Sequence, residues 1–181
     1  MSKVVKKLFF AWNEEKEKEF LEDMALKGYR LNKVSLGKYT FEEAEPKRLI
    51  YQFEFRTVSK NEEDNFLQIY KDSGWDCVFK FGSWYYFCKE WNEDGADLTL
   101  FNNNESMAKK YERLLLFLML AGFPLYYQVL IFFPNMADSR LEYPSFYFFF
   151  RIIVIILSGL HLFSVVKILL KYRLLKDDFK E

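Results

Sequence analysis

Two apolar blocks near the C-terminal end of the sequence constrain its fold more than any other feature. The first block, residues 114–133, is twenty residues long and has no charged side chain, which is about the length of helix that crosses a hydrocarbon core of roughly 30 Å. Gly122 and Pro124 lie in its middle and predict a kink, which is tolerated in lipid when a neighbouring helix or a local 3₁₀ adjustment satisfies the freed carbonyl. The block predicts one transmembrane helix over residues 111–133.

The second block, residues 146–170, contains charged residues only near its two ends. Arg151 and Lys167 lie roughly 24 Å apart along a helix axis, so each can extend its charged group toward a membrane interface. Only residues 134–145 connect the two blocks. We therefore predict a second transmembrane helix and an antiparallel hairpin closed by a short extracytoplasmic loop.

Basic residues set the expected orientation of this hairpin. They are more frequent at its two open ends than at the loop, and cytoplasmic flanks carry this excess. The first residues lack the long apolar core of a signal peptide. We expect a membrane protein with two spans and both termini in the cytoplasm. The basic residues at the open ends are Lys109, Lys110, Arg113, Lys167, Lys171, Arg173 and Lys176, against Arg140 and Arg151 near the loop.

The part of the chain before the membrane segments contains an internal repeat. Gly28 recurs as Gly74, each followed by an aromatic residue, and residues 36–39 resemble residues 81–84. The first offset is 46 residues and the second is 45, which predicts a bulge in one strand. Each half has the pattern of a strand, a helix and a hairpin. The sequence predicts an α+β fold, a duplicated strand-helix-hairpin unit that forms a mainly antiparallel six-stranded sheet with two helices on one face.

Turn and capping residues place the elements of each half. The first half has a strand over 7–12, a helix over 14–27 capped by Asn13, and strands over 29–36 and 39–43 joined by a Gly37-Lys38 type II′ turn. The second half has an alternating strand from Leu49, a helix to Asp72 that opens with the Ser59–Glu62 capping box, and strands over 75–81 and 84–89. The predicted segments are a cytoplasmic domain over 1–92, a polar linker over 93–110, the first span over 111–133, a loop over 134–145, the second span over 146–170 and a cytoplasmic tail over 171–181.

The second hairpin carries aromatic residues on both of its faces. A helix layer covers only one face, so Val78, Tyr85 and Phe87 on the other face need separate cover. The linker or irregular parts of the same domain could cover them. The alternative is that these three residues form a surface on which a protein partner docks.

The two cysteines and the one histidine have ordinary structural explanations beside functional ones. A two-residue turn at Gly82-Ser83 brings Cys77 opposite Cys88, which would suit a redox switch or a soft-metal pair, but two buried thiols acting as small apolar residues are favoured in a reducing compartment. In the second span His161 lies between Ser158 and Ser164. This polar stripe is expected to meet Gln128 or Tyr127 of the first span by hydrogen bonding between helices.

Nothing in the sequence has the pattern of a catalytic site, and we expect a non-enzymatic protein with no cofactor and no metal. The acidic runs at 14–22, 42–45 and 62–64 are interpreted as solvated helix starts and turn edges. Residues 1–92 contain no histidine for acid-base chemistry near neutral pH. The aromatic residues have no accompanying basic strip, so nucleic acid is not an expected partner.

Several motifs resemble those of the bacterial family known as domain of unknown function 2812, over about residues 7 to 90. Tyr29 stands where that family usually has Trp. The resemblance implies a domain carried ahead of a few membrane helices, mostly in Gram-positive bacteria and often encoded beside PadR-type repressors, in an envelope- or drug-response locus. It supplies no reaction and no catalytic residues. The motifs are Phe9-Phe10-Ala11-Trp12, residues 19–31, 39–42 and 49–55, Tyr70-Lys71-Asp72-Ser73-Gly74-Trp75 and Trp84-Tyr85-Tyr86-Phe87.

These observations favour a membrane-tethered cytoplasmic sensing or adaptor module. Its expected partners are the lipid bilayer and a protein, which would be a transcriptional repressor, a transporter or a second copy of the chain. The alternative is an accessory subunit of a transporter that acts through its transmembrane hairpin.

Overall fold

The computed structural model describes residues 2–91, 104–136 and 144–177. The chain divides into two compact units, Met1–Lys110 and Tyr111–Glu181. Residue 92, most of the predicted linker (93–103), most of the predicted loop (137–143) and the end of the predicted tail (178–181) lie outside the described residues.

The first unit has the predicted order of strand, helix and hairpin, twice. Both helices end at a glycine with positive φ, Gly28 at 79° and Gly74 at 80°, as the sequence predicted. The duplicated α+β fold is thus confirmed. Its elements are β1 (Ser2–Lys6), a 3₁₀ turn (Ala11–Asn13), α1 (Glu14–Leu26), β2 (Tyr29–Ser35), β3 (Lys38–Glu43), β4 (Leu49–Phe55), α2 (Lys60–Asp72), β5 (Asp76–Phe81) and β6 (Trp84–Glu90).

The six strands form two antiparallel sheets rather than one. Their orders are β1-β3-β2 and β4-β6-β5, and β2 lies beside β5. The prediction of a single six-stranded sheet with both helices on one face is therefore wrong. Helix α1 packs against β2 and β4, whereas α2 packs against β5. The second sheet has apolar side chains on both faces, so it needs a helix on each.

Two clusters of buried residues show that α1 and α2 pack against different faces of the second sheet. Phe41, Phe53 and Tyr86 belong to a cluster that joins α1 to both sheets. On the opposite face of the second sheet, Phe66 of α2 packs against residues of β6 in a separate cluster. The neighbouring residues Tyr85 and Tyr86 thus point into different clusters, as alternation along a strand requires.

The repeat keeps an offset of 46 residues through both hairpins. Ser35 pairs with Lys38, and Phe81 pairs with Trp84, 46 residues later. Both hairpins have a register shift at the same place, between Leu31 and Lys33 and between Cys77 and Phe79. The one-residue slip predicted from sequence is therefore wrong. Only the glycine differs in position: Gly37 is the second residue of the first turn, and Gly82 is the first residue of the second turn.

This shift corrects the predicted type of the first turn. The two turn residues are Leu36 and Gly37, not Gly37 and Lys38. Gly37 has a φ of 67° at the second position. A type II′ turn instead needs positive φ at the first position.

The first strand lies nearer the N-terminus than predicted. β1 covers Ser2–Lys6 and pairs with β3, while the predicted strand over 7–12 forms a link that ends in the 3₁₀ turn. Phe9 of this link lies against the rings of Phe20 and Tyr39. Phe9 is half-buried and packs against the core from this irregular segment, whereas Leu8 and Phe10 are exposed.

The second unit contains the two apolar helices. Helix α3 (Asn104–Tyr127) continues through a π-helical segment (Gln128–Phe132) into a short helix α4 (Phe133–Asn135), and α5 covers Pro144–Asp177. Both predicted helices are thus present, beginning earlier and ending later than residues 111–133 and 146–170. Met107–Asn135 and Ser145–Lys176 are long and apolar enough to cross a membrane.

Ring contacts show that the two long helices run antiparallel, as the short connection requires. Phe133 contacts Phe150 at 6.0 Å between ring centroids, and Lys171 lies over the ring of Tyr111. Pro124 lies inside α3, four residues before the π-helical segment. There the Phe133 N–H donates to the Gln128 carbonyl, a π-type bond. The structure thus has a π-helical segment after Pro124, whereas the sequence led us to expect a local 3₁₀ adjustment.

Candidate functional site

A cavity of about 160 Å³ opens in the first unit, between α1 and the ends of both hairpins. The link before α1 supplies one wall, and the turn regions of β2-β3 and β5-β6 supply others. Aromatic rings of Phe53, Trp84 and Tyr86 come from the second sheet, and that of Tyr39 comes from the first. Glu14 and Glu17 of α1 also line it. The cavity therefore combines both repeats with two acidic side chains.

Glu17 accepts two hydrogen bonds inside this cavity. The hydroxyl of Tyr39 donates to Oε1 at 2.6 Å, and the hydroxyl of Tyr86 donates to the same oxygen at 3.0 Å. Burial of the carboxylate raises the pKa of Glu17 above its usual value, although the two hydroxyl groups oppose this shift. Burial and the neighbouring carboxylate also raise the pKa values of Tyr39 and Tyr86, so both hydroxyls stay protonated donors.

Glu14, one turn earlier on α1, lies in a buried ion pair. Lys110 donates from Nζ to Oε1 at 2.8 Å and to Oε2 at 2.7 Å, and to the carbonyl oxygen of Phe53 at 3.2 Å. Lys18 lies 3.0 Å from Oε1 of Glu14. All three charged side chains are buried. Lys110 is part of α3, the helix that continues as the first apolar segment.

The interpretation of the acidic run at 14–22 as a solvated face is wrong for these residues. Glu14 and Glu17 are only 1% and 8% exposed. Charged side chains on this face are buried because Lys110 and Lys18 pair with Glu14 and two tyrosines bond Glu17, which satisfies them as burial requires. Helical spacing is the signal in the sequence that could have identified these buried glutamates. The buried residues of α1 share one helix face from its first turn, at Glu14, Glu17, Lys18, Leu21, Met24 and Ala25.

Apolar side chains surround the mouth of the cavity. Leu8, Phe10, Leu36 and Phe81 line it and are exposed, Leu36 by 87%. We call these four residues the rim. They come from the link before α1 and from the two hairpins, so both repeats contribute to one exposed apolar patch.

The predicted docking residues lie elsewhere and are covered. Tyr85 and Phe87 are buried beneath Phe66 of α2, with ring centroids 4.9 and 6.4 Å from that ring. Val78 is the bulge residue of β5 and packs against the cluster on the other face. These three residues therefore do not form one open surface. The predicted cover was the linker or irregular parts of the same domain, whereas in the structure α2 covers Tyr85 and Phe87.

The two cysteines are not opposite each other. Because of the bulge, Cys77 pairs with Phe87 and Asp76 pairs with Cys88. Both thiols are free, and they belong to the clusters on opposite faces of the sheet. Burial raises the pKa of Cys77 to about 11 and also raises that of Cys88. Little thiolate forms at neutral pH, which suits their structural interpretation.

In the second unit, His161 joins the two apolar helices by hydrogen bonds. Its Nδ1 lies 2.8 Å from the hydroxyl of Tyr126, and its Nε2 lies 2.9 Å from the carbonyl oxygen of Leu118. Because a carbonyl only accepts, Nε2 carries a proton, and in the neutral ring Nδ1 then accepts from Tyr126. Gly122 makes room for this ring, since a Cβ there would lie 2.5 Å from Cε1 of His161.

The other predicted polar residues of the hairpin do not join this contact. Ser158 and Ser164 donate to the carbonyl oxygens of Val154 and Leu160, four residues earlier on the same helix. Gln128 begins the π-helical segment, and its buried Oε1 accepts no hydrogen bond among the described residues. The partners of His161 are thus Tyr126 and the α3 backbone, not Gln128 or Tyr127.

Comparison with protein families identifies one relationship. The family described as a protein of unknown function (DUF2812) matches residues 13–123. This chain belongs to that family. The DUF2812 match begins at the cap of α1 and extends well into α3, farther than the 7–90 resemblance seen in the sequence. It therefore includes Glu14, Glu17 and Lys110. No significant match exists among curated proteins or among solved structures.

Within the described residues, no group of three or more His, Cys, Asp or Glu side chains could hold a metal ion. The arrangement offers instead a partly enclosed aromatic cavity with a buried carboxylate.

Proposed function

We propose that this chain is a membrane-tethered cytoplasmic sensing or adaptor module of a bacterial cell, with two spans and both termini in the cytoplasm. The observation that carries the proposal is the shared position of Glu14. This residue lines the cavity and pairs with Lys110, which belongs to the helix that continues as the first apolar segment. A ligand in the cavity would change the surroundings of Glu14 and so act on the start of that helix. The proposal assigns no reaction to the chain.

The rim gives this module a surface for a protein partner. Leu8, Phe10, Leu36 and Phe81 are exposed around the cavity mouth, so a bound partner would be sensitive to whether the cavity is filled. A transcriptional repressor or a transporter of an envelope-stress or drug-response system suits this role, as does a second copy of the chain.

Partner capture from native membranes tests this proposal. The tagged full chain is compared with Leu36→Asp and with Ile69→Asp, a matched change at a side chain of α2 that is also exposed, by 66%, and lies outside the rim. We expect a partner to copurify with the unmodified chain and with Ile69→Asp but not with Leu36→Asp. Equal capture by all three proteins would refute the rim as the docking surface.

A second candidate function rests on the hairpin. The hydrogen bonds of His161 to Tyr126 and Leu118, with the unbonded Oε1 of Gln128, favour an accessory subunit that acts within the bilayer. Polar groups at such depth commonly mark functional positions. Replacing residues 111–177 with an unrelated two-span anchor decides between the two functions. If the chimera still captures the partner, the hairpin is ruled out as the acting part. If partner capture is lost, the hairpin is favoured.

A further inference from the structure

The cavity in the first unit has an unusual balance of ring faces and charge. Seven of its fifteen lining residues are aromatic, and two are glutamates. Among the described residues, no lysine, arginine or histidine lines it. A negative charge beside aromatic faces favours a cation, because ring faces also attract positive charge.

The protein neutralises only one of these two glutamates. Both oxygens of Glu14 are held by Lys110, and Lys18 adds a second ammonium. Glu17 receives hydroxyl protons from Tyr39 and Tyr86 on Oε1 alone, and hydroxyl groups bring no formal charge. Its Oε2 accepts no hydrogen bond from the described residues. The charge of Glu17 therefore remains for a ligand to balance.

The size and chemistry of the cavity narrow the class of cation. A volume of about 160 Å³ is close to that of cavities that hold one benzene-sized group, about 150 Å³. A primary amine needs several acceptors for its N–H groups, whereas these walls are mainly apolar. A quaternary ammonium has no N–H groups and presents its charge through methyl groups that contact rings directly.

We propose that the cavity binds a small organic cation of the quaternary ammonium class, with Glu17 facing the charge and the rings of Tyr39, Trp84 and Tyr86 facing the methyl groups. This inference deepens the proposed sensing function and rests on it. It names the ligand class to which the module responds.

Isothermal titration of the full chain in an uncharged maltoside detergent tests the proposal, with choline as the probe. The control ligand is 3,3-dimethylbutanol, which has the shape of choline without its charge. The matched variants are Glu17→Gln and Glu19→Gln, since Glu19 lies on the same helix and is exposed. We expect choline to bind, the alcohol to bind at least about tenfold more weakly, and Glu17→Gln alone to lose about tenfold or more in choline affinity.

Each other outcome contradicts the proposal. No binding of choline by the unmodified chain, equal binding of choline and the alcohol, or equal loss in both variants would overturn it. If Glu17→Gln fails to fold, choline binding by the unmodified chain is measured against pH. The affinity should then rise as Glu17 loses its proton, and a flat profile would overturn the role of Glu17. Partner capture through the rim is measured without choline. A failed choline titration would therefore overturn the ligand class, and partner capture would still test the proposed function separately.

Discussion

Lys110 Nζ lies 2.7 Å from Glu14 Oε2, and both side chains are almost fully buried. The two residues are 96 positions apart, so this pair joins the end of the first unit to the first turn of α1. Removing one member of a buried pair leaves the other charge without its partner, which typically costs about 3–5 kcal/mol. The pair is thus a sensitive point in the stability of the first unit.

The substitution Lys110→Met tests this relationship. We expect the free energy of unfolding to fall by about 3 kcal/mol, at the low end of that range, because Lys18 still pairs with Glu14. Urea unfolding of the full chain in detergent, followed by tryptophan fluorescence, measures the change. The control is Lys16→Met at an exposed position of α1, where a change of about 0.5 kcal/mol or less is expected. Similar losses in both variants would contradict the importance of the pair.

A part of this fold could be predicted from the sequence because local signals determine it. Gly28 and Gly74 mark the helix ends, and Ser59 is the N-cap residue of α2, although its hydroxyl donates to the Glu62 carboxylate and does not cap a backbone N–H. The hairpins follow from alternating aromatic residues. Such signals act within a few residues, so the order of elements and the two apolar helices were predictable.

The candidate site could not be predicted, because its contacts join distant residues. Lys110 had been assigned to a polar linker and to a basic membrane flank, and only its pairing with Glu14 explains its burial. The register of strand pairing in the sheets could not be predicted either. A bulge at Val78 turns Cys77 away from Cys88, and that bulge has no marker such as glycine in the sequence.

Gly28 and Gly82 provide a comparison of backbone strain with steric contact. Both have positive φ, but a Cβ at Gly28 would lie 2.9 Å from the carbonyl oxygen of Ala44, whereas one at Gly82 would meet no atom within 4 Å. Alanine at either position costs about 1–2 kcal/mol for the left-handed backbone. We expect Gly28→Ala to lower the free energy of unfolding further than Gly82→Ala. Urea midpoints of the two variants measure this, and equal midpoints would contradict the contact.

Gly122 and Gly159 allow a similar test in the second unit. A Cβ at Gly122 would collide with the ring of His161, while one at Gly159 would meet nothing within 4 Å. We expect Gly122→Ala to displace the ring and to break its bond to Tyr126 or to Leu118. The chain has one histidine, so the ¹⁵N resonances of its ring report the tautomer without overlap. The Nε2–H tautomer should persist in Gly159→Ala, and its persistence in Gly122→Ala as well would show that the bonds do not depend on this clearance.

Glu17 should make the stability of the first unit depend on pH. Burial raises its pKa in the folded protein, so its ionisation opposes folding. Its contribution is fully favourable below about pH 4.5 and is lost as the pH rises through the folded pKa. Glu17→Gln should remove this loss, because the amide oxygen can still accept from Tyr39 and Tyr86. Glu22 also has a raised pKa from burial, which acts in the same direction, whereas the pKa of Lys110, lowered by burial, acts in the opposite direction.

The unfolding free energies of the unmodified chain, Glu17→Gln and Glu19→Gln are compared between about pH 5 and about pH 8. The unmodified chain and Glu19→Gln should lose stability together as the pH rises, while Glu17→Gln should lose less. The exposed ion pairs of Glu63 and Glu90 do not obscure this result. Lys80 and Lys47 lower the pKa values of those carboxylates, so both titrate below this range. Three parallel curves would show that Glu17 does not carry a buried negative charge, and the choice of a cationic ligand for the cavity would lose its main support.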